Sequence, residues 1–158
     1  MDNEITINGV TYIRKDKCNC PFMNNGKKYD FTGRIKNYNS HILHQIIALK
    51  DFGNVKKGDI GGWIEDEKNL SQVGNAWVYG DARVLGNARV YGNAFVCGDA
   101  MVFGDARVFD NAMVYGDAWV FGNASVFGDA RVYGDAWVCG DCRKRLYPLK
   151  RCIRQSYL

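Results

Sequence analysis

The 158-residue sequence is poor in proline and in histidine, with two of each. So little proline fits neither a collagen-like nor a proline-rich disordered chain, and 47% hydrophobic against 24% charged residues describes a chain that buries a core. No apolar run approaches the ~18 residues of a membrane helix. The start, Met1-Asp2-Asn3-Glu4, lacks the basic and then apolar stretch of a secretion signal. A cytoplasmic location without membrane contact is therefore expected. In that compartment the six cysteines read as reduced thiols, not as a disulfide framework. The length corresponds to about one domain at the usual ~100–200 residues each.

Basic residues are concentrated, without acidic neighbours, at one end of the sequence. Residues 143–158 hold six Lys/Arg and no Asp or Glu, which leaves fifteen bases against seventeen acids elsewhere. The net charge of +4 is thus a property of the tail. It gives weak support for nucleic-acid binding, although a local anion contact by the tail stays open.

What the sequence has in abundance is a repeat. Eleven consecutive hexads run from Gly74 to Cys139: GNAWVY, GDARVL, GNARVY, GNAFVC, GDAMVF, GDARVF, DNAMVY, GDAWVF, GNASVF, GDARVY and GDAWVC. Position two is always Asn or Asp, three always Ala, five always Val, and one is Gly except at Asp110. Ala-x-Val alternates with period two, so Ala and Val share one face and the residue between them points the other way. Gly followed by Asn or Asp is a turn pair, because these residues tolerate positive φ. Three strand-and-corner units close a triangular coil, and successive coils pair their backbones at about 4.8 Å.

On these residues the sequence resembles the hexapeptide-repeat, left-handed β-helix family, whose consensus sets a small residue four positions after an aliphatic one, as Val78 and Ala82 do. The left hand is what the resemblance implies. Eleven hexads make about 3.7 coils of 18 residues. Asn69-Leu70 are in phase as turn and inward residues, and Gly58 to Ile64 reads as a shifted entry coil. The stretch Asp51 to Ile64, followed by Asn69-Leu70-Ser71, resembles the entry segment of a hexapeptide group common in bacteriophages and prophages, described as transferase-like or uncharacterised. The expected architecture is all-β: a left-handed parallel β-helix over 58–142, a small β-rich N-terminal cap over 1–57, and a basic capping tail over 143–158. In the cap, Asn8-Gly9 signals a two-residue hairpin. Lys28 to Thr32 is a strand candidate, and Ile42 to Leu49 is a strand or short helix. Leu146, Tyr147, Leu149 and Ile153 are expected to pack over the last coil.

Stacking every third hexad sorts the outward residues into ladders: Trp77, Phe95, Met113, Arg131; Arg83, Met101, Trp119, Trp137; and Arg89, Arg107, Ser125. Two faces are mainly apolar and one polar. Exposed Trp, Phe and Met on two faces exceed what a soluble monomer tolerates, so a homotrimer is expected, as the family resemblance also implies.

The family resemblance implies acyl-CoA-dependent acyl transfer with a coil-borne His as general base. The hexads carry no His, and His41 and His44 both fall in the cap. No catalytic residue, cofactor or metal is assigned. Cys139 and Cys142 form a C-x-x-C whose hexad phases diverge, while Cys18/Cys20 with His41/His44 are spaced too tightly for an ordinary zinc site. Ice binding would need a hydroxyl array that is missing here. The remaining reading is a non-enzymatic binder, a phage-type accessory or anti-defence factor holding a small anionic, nucleotide-like signal in inter-subunit grooves. Trp77, Arg83, Phe95, Trp119, Arg131 and Trp137 are its expected ligand residues, through ring stacking and guanidinium–phosphate contacts. The alternatives are acyl transfer, or a module that blocks a host protein complex through the Arg89/Arg107 face or the basic tail.

Overall fold

A residue pair held between an inward alanine and a corner can form only a short strand, and each hexad contributes one, from Trp77–Val78 to Trp137–Cys139. The computed structural model describes residues 26–140, with the backbone alone of strands Glu4–Ile7, Val10–Ile13 and Cys152–Ile153. Strands 18 residues apart pair in parallel. Met101 lies beside Trp119, Arg107 beside Ser125, and Met113 beside Arg131, with the valines matched in each case. Three parallel stacks result, so the described chain is an all-β parallel solenoid with the ladders expected from the repeat.

Its interior is a column of Ala and Val without water access. Every Ala from Ala76 to Ala118 and every Val from Val78 to Val120 is fully buried. Each valine removed from water contributes roughly 1.5–3 kcal/mol, and the backbone ladder satisfies the polar groups that run alongside. At the corners, Asn75, Asn93 and Asn111 each donate a side-chain N–H to the next rung at 3.1 Å, the series ending on the Asp129 carboxylate. Asp110, the one residue in a glycine position, takes the same left-handed conformation (φ 58°), and its carboxylate accepts from Gly128 N–H at 3.1 Å.

The N-terminal hairpin has the expected register, with strand β1 (Glu4–Ile7) antiparallel to β2 (Val10–Ile13) and Ile7 beside Val10. Strand β3 (Tyr29–Tyr38) turns through Asn39 and Ser40, both at positive φ, into β4 (His41–Ala48), which settles the strand-or-helix question for that stretch. Strand β4 pairs antiparallel with β5 (Ile60–Ile64), and β5 runs parallel to Arg83–Val84. One solenoid face therefore continues into β5, β4 and β3 as an eight-stranded sheet, closed at its other edge by Cys152–Ile153 beside Trp137–Val138.

The entry coil is longer than the others. Ile64 pairs with Val84 and Leu70 with Val90, an offset of 20 residues where later coils have 18. Two extra residues thus lie between Leu70 and Ala76, and Val73 stands exposed among them. Leu146, Tyr147 and Leu149 of the expected tail packing lie outside the described residues.

Candidate functional site

The N-terminal segment does more than close the end of the prism. Tyr29 and Phe52 pack edge-on against Trp77, with ring centroids at 6.1 and 5.3 Å. Trp77 is consequently 0% exposed, and its indole N–H has no partner among the described residues. The expectation that Trp77 lines a surface groove is therefore corrected: it faces outward from the coil, but into the N-terminal segment. Arg83 is partly covered as well, its guanidinium 4.9 Å from the Tyr38 ring, and Met101 beside it is buried with Leu43 and Leu85.

Phe95, Trp119 and Trp137 are half-buried in stacks of their own. Phe95 lies on Tyr79 at 6.1 Å and Trp119 on Trp137 at 5.1 Å. Arg131 is exposed beside Met113. The six expected ligand residues thus divide between two faces and do not converge within one chain. The two faces of exposed Trp, Phe and Met are corrected in the same way, since among the described residues the large exposed hydrophobics are Ile35, Ile42, Ile60, Val73, Phe127 and Tyr133.

The third face is where side chains converge. Arg89 and Arg107 pair directly in the parallel ladder, and both are exposed. Like charges opposed at about 4.8 Å repel, and neither arginine has an ion pair among the described residues. Lys68 joins them from the segment below, its Nζ 3.3 Å from Asn87 Oδ1. Together with Leu70, Ser71, Gln72 and Tyr91 these cations line a groove of about 540 Å³, within the ~300–1,000 Å³ of small-molecule sites. A second lobe of about 300 Å³ runs on past Lys68 to Asn87 and Asp105. Glu67, also at the rim, is neutralised by Lys27 at 2.6 Å.

The floor of the groove is fixed by capping. Asp66 accepts from Lys68 N–H at the start of the 3-10 helix Glu67–Asn69, and Asn69 answers through Oδ1 to Asp66 N–H at 2.8 Å. Asn69 turns inward, where its amide donates to the Gly86 and Ala88 carbonyls at 3.0 and 2.8 Å. Its inward turn leaves the space beneath Arg89 open. Residues 28 and 29 hold the far wall. Gln72 accepts from Lys28 N–H at 2.8 Å, and the Tyr29 hydroxyl donates to Leu70 O at 2.7 Å. Lys28 Nζ, buried without a carboxylate, donates to Ala76 O at 2.8 Å, and loss of hydration pulls its pKa down to about 8.

Of the two histidines, His44 lies against Phe31 with ring centroids at 4.8 Å and planes tilted by 36°, and His41 Nδ1 sits 2.8 Å from Glu65 Oε1. Partial burial would raise the Glu65 pKa, but His41 and the Gly86 N–H at 2.6 Å hold it below the ordinary range. No cluster of three metal-ligating side chains occurs among the described residues. Cys139 is buried, while Cys18, Cys20 and Cys142 lie outside those residues. Sequence reasoning placed Arg89 and Arg107 on one polar face but missed Lys68, Ser71, Gln72 and Tyr91. The hexad count misplaces Ser71: it falls in the outward position, 18 residues before Arg89, and only the 20-residue entry coil sets it in the corner position of Tyr91.

The fold and its ladders define a β-solenoid protein built on hexapeptide repeats, and comparison with known proteins supports that class. Residues 76–92, 94–108, 106–122 and 124–140 match the repeat family described as YdcK beta solenoid repeat. A stretch of 56 residues is 45% identical to a protein named uncharacterized acetyltransferase YdcK from Escherichia coli (strain K12). That alignment takes in 31% of this chain and spans 17% of the relative's length.

Proposed function

We propose that this chain is a binding protein that holds a small phosphorylated anion on its polar face, in the groove between the 3-10 helix and the arginine ladder. The observation that carries the reading is the convergence of Lys68, Arg89 and Arg107 on one groove, with the two arginines stacked in register. An anion there relieves their repulsion and gains forked guanidinium contacts. Binding without turnover withdraws the ligand from solution, the sequestering role expected of an accessory factor. Titration calorimetry with inorganic triphosphate tests it. Wild type should bind, more weakly as salt is raised, and Arg89→Glu/Arg107→Glu should not. Absence of heat with wild type, or equal binding by the variant, would overturn the reading.

Assembly belongs to the same proposal. Phe95, Met113, Trp119 and Trp137 are only half-buried, and three prisms side by side would cover them. Light scattering should give the mass of three chains; a single-chain mass contradicts it. A second reading, acyl transfer from a thioester, is favoured by the partial identity to a protein named acetyltransferase. On that reading the groove cations would hold the phosphates of the acyl carrier, the acyl group would pass from sulfur to an amine or hydroxyl acceptor whose proton goes to the released thiol, and thiol release from acetyl-CoA in the presence of such an acceptor would exceed the protein-free rate.

A further inference from the structure

The aromatic column beside the arginines stops one ring short. Phe127 stacks on Phe109 at 5.4 Å, and Phe109 on Tyr91 at 4.9 Å with 1° between the ring planes. One coil further toward the N-terminus the same position is Ser71, since Leu70 pairs with Val90 and Ser71 N–H donates to Val90 O at 2.9 Å. Phe109 occupies one face of Tyr91. The other face looks toward Ser71, and no ring covers it among the described residues. The other corner columns end differently, with Tyr79 against the Trp77 ring and Leu85 buried beside Leu43. The space below Tyr91 is the groove itself, which Tyr91, Ser71 and Gln72 line together with Arg89.

Resting on the anion-binding reading above, we infer that the ligand carries a planar aromatic ring as well as its phosphates, and that it is a nucleoside phosphate. The base takes the missing place in the Tyr91–Phe109–Phe127 column. The phosphates run along Arg89 and Arg107, with Lys68 at the junction with the second lobe. Bases stack on aromatic side chains without regard to base identity, so recognition at this position is tolerant of the base and depends on the ring.

The test compares ATP, GTP, CTP and UTP with inorganic triphosphate by calorimetry, on wild type, Ser71→Phe and Tyr91→Leu. Each nucleotide should bind wild type at least ~5-fold more tightly than inorganic triphosphate, the low end for one stacked base. In Ser71→Phe the new side chain fills the ring position, and in Tyr91→Leu the stacking surface is removed. Both variants should lose the nucleotide's advantage over inorganic triphosphate. Equal binding of nucleotide and inorganic triphosphate by wild type refutes the ring site while leaving the anion site standing, and needs no variant to fold. An advantage that survives both substitutions refutes it too. If neither ligand binds, the anion reading fails and the ring site falls with it.

Discussion

Replacing Lys28 by methionine should erase a specific rise of stability with pH. Lys28 is 1% exposed; its ammonium group donates to the carbonyls of Ala76 (2.8 Å) and Gly74 (3.4 Å) and lies 4.9 Å from the Phe52 ring. Dehydration, with the nearby Lys50 charge, lowers its pKa from 10.5 to about 8. Below pH 8 both the folded and unfolded chains hold the proton, and folding carries the full cost of burying the charge. Between 8 and 10.5 the folded chain has released the proton while the unfolded chain keeps it, so stability climbs with pH. From pH 7.5 to 9.5 this one group should add up to ~2 kcal/mol. Tyr29 and Cys97, whose pKa values are raised mainly by burial, work in the opposite direction, but they are present in both proteins and cancel in the comparison. Urea unfolding of wild type and Lys28→Met at the two pH values gives the answer. The difference between the proteins should shift by up to ~2 kcal/mol in favour of wild type at pH 9.5. A difference that does not change with pH would refute the argument that this ammonium is buried behind the groove at a cost to stability.

Gly74 sits at φ +77°, and a Cβ there would meet Gly92 O at 2.5 Å, whereas at Gly128 (φ +63°) it would meet nothing within 4 Å. Gly128→Ala should therefore cost only the ~1–2 kcal/mol of left-handed strain, and Gly74→Ala at least ~1 kcal/mol more, read from thermal unfolding. Glu65→Gln should lower stability at pH 7 by ~1 kcal/mol through weakened bonds to His41 and Gly86 N–H. Because the folded pKa of Glu65 lies below its ordinary 4.5, that contribution is present above 4.5 and fades as pH falls through the folded value. Unfolding measured at pH 7 and pH 3 should show the gap between the two proteins shrinking.

The solenoid was legible because its rule is local: Ala-x-Val fixes which side chains enter the coil, and an 18-residue coil fixes which rungs touch. Hence the matched pairs Met101/Trp119 and Arg107/Ser125 and the Asn8-Gly9 hairpin follow from spacing. Leu70 is inward as expected, but in the position of Val90 and not the Ala position that the hexad count gives it, and Asn69 points inward where a turn residue was expected. Phase says which way Trp77 points, but not what lies there. Its cover comes from Tyr29 and Phe52, residues with no periodic relation to it. The groove escaped notice for a related reason. It exists because the repeat falters: two extra residues follow Leu70, Asn69 turns inward, and Ser71 replaces a ring. A break in a pattern marks a place, and only the packing of Gln72 against Lys28 and Tyr29 turns that place into a wall.

The account stands on where an anion binds, and arginine side-chain NMR reads that residue by residue. With inorganic triphosphate added in steps, the Nε–H signals of Arg89 and Arg107 should shift together and saturate, while those of Arg83 and Arg131 stay in place. Saturable shifts at Arg83 or Arg131 with Arg89 and Arg107 unmoved would contradict it.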